Sequence, residues 1–87
     1  MFLHVGNNKN ILIERVVGIF DMDNATLSAV TRKYLSNNEK MGLSQNAALD
    51  ELPKSFILYI DTDNQYKICY SQLSSASLKG RLGDCGS

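Results

Sequence analysis

The chain has 87 residues, 44% of them hydrophobic, with nine Lys plus Arg against nine Asp plus Glu. A chain this short buries only about 60–65% of its unfolded surface, which excludes large enzyme architectures and predicts a single domain over residues 1–87. Zero formal charge excludes a polybasic tail or a uniformly cationic surface, and no stretch reaches the ~20 apolar residues that a membrane span requires.

Phe2 to Val5 is a short apolar run ended by Gly6-Asn7-Asn8-Lys9. Gly and Asn tolerate positive φ, so a hairpin is predicted there. This opening has no unbroken apolar core of the kind a signal peptide needs, and a cytoplasmic location is the expectation. Ile11 to Phe20 reads as extended, with a kink or bulge near Glu14-Arg15 and a buried strand through Val16, Val17, Ile19 and Phe20.

Asp21, Asp23 and Asn24 are N-cap candidates for the principal helix, expected over Ala25 to Ser36. Leu27, Val30, Tyr34 and Leu35 fall on one face of it, and Asn37-Asn38 ends it. Glu39 to Leu52 reads equally well as a helical turn or a surface loop. Pro53 marks the entry to a strand of nearly continuous apolar character, Phe56 to Ile60, the pattern of a strand covered on both faces. A neighbouring copy of the chain is one source of that cover, so self-association is expected. Asp61 to Asn64 reads as a turn. Tyr66, Ile68 and Tyr70 alternate with Lys67, Cys69 and Ser71, as in a half-buried partner strand. Ser74 or Ser75 then caps a short C-terminal helix through Ala76, Leu78 and Leu82, which Gly80 weakens, and residues 83–87 read as a frayed tail. The fold class expected is α+β: a small antiparallel sheet with one principal and one short helix.

Few residues point to chemistry. Phe20-Asp21-Met22-Asp23 resembles the opening of haloacid-dehalogenase-type phosphatases, but the acidic metal pair and the lysine that such chemistry needs have no counterpart in so short a chain. A capped strand-to-helix turn is the better reading. Asp61-Thr62-Asp63-Asn64-Gln65 opens like a calcium loop yet carries Tyr66 at the sixth position, where glycine is required, and has no glutamate at the twelfth. His4 is the only histidine, and the two cysteines, Cys69 and Cys85, match no zinc-ligand spacing. No catalytic residues, metal or cofactor are therefore expected. Most cations read as solvated surface charges. Arg15 differs, because an arginine inside an apolar extended run must reach a partner, a rim or a ligand. Lys54, at the mouth of the apolar strand, is the second candidate.

Four segments in order carry a family resemblance: Met1 to Gly6, Val16 to Asp21, Pro53 to Ile57 and Tyr70 to Arg81. Together they resemble the small RemA/RemB family of extracellular-matrix regulators of Gram-positive bacteria. The resemblance implies a transcription-linked, non-enzymatic regulator of biofilm-matrix genes that assembles as a ring-like homo-oligomer and binds duplex DNA around its perimeter. It also implies a nucleic-acid-binding role for Arg15, which stands just before the central apolar strand, and a lesser one for Lys54. A symmetric ring would reconcile a neutral chain with DNA binding, because a few cations repeated around a rim add avidity to weak backbone contacts. The alternative is an assembly or protein-interaction module of the same family that does not bind DNA and acts on a RemA-type partner.

Overall fold

The computed structural model describes the backbone of residues 1–86 and the side chains of residues 1–82. Strand β1 (Phe2–Gly6) and strand β2 (Lys9–Leu12) form a separate two-stranded antiparallel sheet. Asn7 and Asn8 turn between them at φ 50° and 63°, the left-handed pair that suits the twist of a tight hairpin. A 3-10 turn over Ile13–Arg15 supplies the expected kink and leads into β3 (Val16–Asp21). Two helices follow, α1 (Met22–Ala25) and α2 (Ala29–Lys40), then β4 (Ser44–Asn46), β5 (Ser55–Ile60), β6 (Tyr66–Ser71) and α3 (Ser75–Gly86).

The main sheet has the order β3-β5-β6-β4, and alternation along its strands sorts the apolar side chains into two cores. Ile19, Ile57, Tyr59 and Cys69 face the hairpin, where they meet Leu3, Val5 and Ile11, with Leu78 of α3 closing that layer. Phe56, Ile68 and Tyr70 face the other way, against Leu35 of α2 and the half-buried Met22 and Ala25 of α1. The architecture is thus hairpin plus α3, sheet, then α1 and α2. Domain class follows the expectation of a compact α+β fold.

Several details depart from the sequence reading. The sheet is mixed, since β4 runs parallel to β6 with Ser44 opposite Ile68 and Asn46 opposite Tyr70. Strand β4 covers what would otherwise be the open edge of β6, and its polar residues carry no apolar alternation to announce it. In consequence β6 is central and buried from Ile68 to Ser71, where a half-buried strand is predicted. Both faces of β5 are covered from within the chain, so its apolar run does not call for a second copy.

The principal helix is broken in two. The Asp21 carboxylate caps α1, and the Ser28 hydroxyl, accepting from the Thr31 N–H at 3.4 Å, starts α2 afresh. The restart sets Thr31, Leu35 and Asn38 inward, leaving Leu27 and Val30 each 79% exposed. Asn38 does not end the helix; its side-chain amide donates to the Tyr34 carbonyl at 2.8 Å and the helix continues to Lys40. At the C-terminus, α3 reaches Gly86 rather than fraying from Gly83. Leu78 and the half-buried Leu82 pack against the core and hold the helix despite its glycines. The side chain of Cys85 lies outside the described residues.

Candidate nucleic-acid interface

Arg15 closes the 3-10 turn and sits at the junction of β2 and β3. Its guanidinium Nη1 donates to the carbonyls of Ile60 and Asp61 at 3.4 and 3.0 Å, just where β5 ends. Two carbonyls therefore fix the plane of the group, and its remaining donors are left for the adjoining cleft. That cleft, about 240 Å³, lies between the hairpin and the main sheet and is lined by Lys9, Gln45, Tyr59 and Thr62 besides Arg15.

Lys9 is the second cation of this cleft, with Nζ 3.5 Å from the Gln45 side-chain oxygen. In the sequence Lys9 reads as one solvated charge among others. The available signal is alternation: Lys9 and Ile11 are two residues apart in β2, so a buried Ile11 turns Lys9 toward the sheet as well.

Asp61 lines the same cleft, but its charge is already matched. Lys67 donates to its carboxylate at 2.7 Å and lies 3.3 Å from that of Asp63. The Lys67 hydrogen bond, followed by that of the Thr62 amide, holds the Asp61 carboxyl below the usual aspartate range, and the same contact raises Lys67. The ammonium stands between the two carboxylates of the calcium-like sequence, which explains that cluster as a turn closed by a lysine. Asn64, at φ 62°, completes the turn.

Lys54 lies elsewhere. It is exposed, immediately before β5, and shares a shallow recess of about 700 Å³ with Asp21, Asp23 and Ser74. Arg15 is bonded at one end of β5 and Lys54 precedes the other. The six residues between, Ser55–Ile60, span roughly 20 Å at about 3.3 Å per residue. The fold thus brings Arg15 together with Lys9 and not with Lys54.

The remaining candidates have local structural roles. The Asp21 carboxylate accepts from the amides of Asp23 and Asn24 at 2.8 and 3.4 Å, so the phosphatase-like tetrad contains a helix cap. His4 Nδ1 lies 3.1 Å from the Asn10 side-chain oxygen across the hairpin. Cys69 is buried among core side chains, and burial pushes its thiol up. Among the described residues no group of His, Cys, Asp and Glu is placed to hold a metal ion, and no helix is long and apolar enough to cross a membrane. The chain matches no family model and no curated protein.

Proposed function

We propose that this chain is an oligomeric, non-enzymatic regulator of the RemA/RemB type, acting in the cytoplasm on extracellular-matrix gene expression through contacts with the phosphate backbone of duplex DNA. Arg15 is the principal contact, Lys9 shares its cleft, and Lys54 assists from the far end of β5. The observation that carries the reading is the posture of Arg15. Two carbonyls orient the guanidinium while its other donors remain available, beside a second cation and a carboxylate already matched by lysine. Contacts of this kind read backbone and shape and carry no base information. The four resembling segments supply the biological setting.

Titration with unrelated duplexes at two salt concentrations, run beside light scattering, tests the reading. Arg15→Ala and Lys9→Ala should each weaken binding alike across sequences and flatten the slope of log K against log salt by about 0.9 per site engaged. Arg15→Ala also loses the two carbonyl bonds, so circular dichroism and oligomer mass accompany it to separate a lost contact from a damaged fold. An assembly module without DNA affinity is the second reading. It is favoured by the zero net charge and by the two aspartates beside Lys54. Absence of wild-type binding at low salt would establish it over the first.

A further inference from the structure

The cleft beside Arg15 holds a buried donor with no partner inside the fold. Tyr59 lines the cleft from β5 and is only 6% exposed. Its hydroxyl makes no hydrogen bond with another described residue. Among those residues every side-chain oxygen fully closed off from solvent has a partner, so the Tyr59 hydroxyl must open onto the cleft. Burial pushes the phenol up to about 12, which keeps it a protonated donor at neutral pH.

Two half-buried cations line the same space. The carbonyl bonds occupy Nη1 of Arg15, which leaves its Nε and Nη2 edge, a planar pair of donors matched to two oxygens of one anion. Lys9 enters from β2, with its ammonium beside the Gln45 side-chain oxygen at 3.5 Å. The Cys69 thiol lies near enough to respond to the Lys9 charge, and Tyr59 responds to Cys69, so the three stand around one cleft. Neighbouring carboxylates do not cancel the two charges. Asp61 and Asp63 are bound to Lys67, while Glu14 is exposed, 3.7 Å from the N-terminal ammonium and outside the cleft lining. On the hairpin side the wall is apolar, built from Phe2, Ile11 and Leu12.

We propose that this cleft binds a small phosphomonoester, a dianion whose body is a single ring or a short chain. The free edge of Arg15 takes two phosphate oxygens, Lys9 supplies the second positive charge, and the Tyr59 hydroxyl donates to the phosphate as well. The apolar wall of the hairpin receives the body. A monocarboxylate would leave one of the two cations unmatched. The cleft, about 240 Å³, is smaller than the ~300–1,000 Å³ of a site for a drug-sized molecule, which limits that body. A duplex backbone carries one charge per phosphate and brings no apolar body to this wall. The inference therefore goes beyond the DNA reading and does not depend on it, although both use Arg15 and Lys9.

Isothermal titration calorimetry of the full chain with phenyl phosphate, inorganic phosphate and benzoate tests it, at about pH 7.5, where a phosphomonoester is mostly dianionic. Phenyl phosphate should bind saturably at one site per chain, roughly tenfold more tightly than inorganic phosphate, which lacks the ring, or benzoate, which lacks the second charge. Lys9→Ala and Tyr59→Phe leave both carbonyl bonds of Arg15 in place. Each should weaken phenyl phosphate binding about tenfold while circular dichroism stays unchanged. Absence of saturable binding overturns the proposal, as does affinity no higher than that for benzoate or affinity that either variant leaves unchanged. Duplex binding without phenyl phosphate binding also overturns it and leaves the DNA reading standing. Phenyl phosphate binding without duplex affinity upholds the cleft site and removes the DNA reading.

Discussion

The Ser71 hydroxyl donates to the Val5 carbonyl at 2.6 Å, within the core and across 66 positions of sequence. The same oxygen accepts from the Leu73 amide at 3.0 Å, so one side chain ties the hairpin to the central strand and shapes the exit toward α3. Ser71→Ala strands a buried carbonyl and leaves an amide without its acceptor. The expected loss is about 1–3 kcal/mol of unfolding free energy by urea titration. Ser71→Thr keeps the hydroxyl and should lose less; equal losses would mean that shape, not the bond, matters at this position.

The restart of the helix at Ser28 predicts unequal roles for two apolar residues of α2. Leu35 is buried against the aromatic row, and Leu35→Ala should cost about 2–5 kcal/mol. Val30 faces solvent, so Val30→Ala should change the stability of the monomer by no more than about 0.5 kcal/mol and can raise it, alanine being the better helix former. Chemical denaturation of the two variants side by side checks this. A large loss at Val30 would mean that α2 is rotated from the orientation described above.

Tyr59 and Tyr70 are both pushed up to about 12 by burial, Tyr59 further by the nearby Cys69 and Asp61 and Tyr70 by Glu39. For a group whose folded pKa exceeds its unfolded value of 10, the protonated native state is favoured. Its contribution is complete below pH 10 and is lost as pH rises toward 12. Each tyrosine is worth on the order of 2 kcal/mol across that window. Unfolding free energy measured from pH 9 upward should fall steeply above pH 10, and Tyr59→Phe should flatten the fall. An unchanged slope in Tyr59→Phe would remove Tyr59 from this account.

Asp21 is expected to act as a cap and not as a nucleophile. Asp21→Ala should cost about 1 kcal/mol and Asp21→Asn a fraction of that, since asparagine caps almost as well. Wild-type protein with magnesium and a generic phosphomonoester should show no turnover. Magnesium-dependent hydrolysis abolished by Asp21→Asn would return the pair Asp21 and Asp23 to catalysis.

The elements with strong local chemistry were legible from the residues alone. The Asn7-Asn8 turn, the kink before β3, the entry of β5 after Pro53 and the Ser74 start of α3 each rest on one or two residues whose backbone preference decides the local path. What depends on distant partners was not. Strand β4 is a strand because β6 offers it an edge, and Ser44-Gln45-Asn46 hold no trace of that. The apolar stripe Leu27, Val30 and Tyr34 looks like a core face when read as one helix. Ser28 interrupts it, and the turn between α1 and α2 decides which side points inward. At the candidate site, Arg15 stood out as a cation in an apolar run, but its pairing with the Lys9 cleft required the hairpin to be folded onto the sheet. The separation of Arg15 from Lys54 follows from the strand between them, which a list of cations does not measure.

The hairpin contributes Leu3, Val5 and Ile11 to a core whose other members, apart from Ile19, lie at Ala47 and beyond. An isolated two-stranded hairpin is marginal in water. During synthesis the apolar face of the hairpin therefore stays wet until β5, β6 and the Leu78 turn of α3 have emerged. Folding of the hairpin is accordingly tied to segments far from it in sequence. A nascent chain stalled before Ser71 would expose the hairpin to proteases and chaperones, whereas emergence of α3 should protect the hairpin and that helix at once.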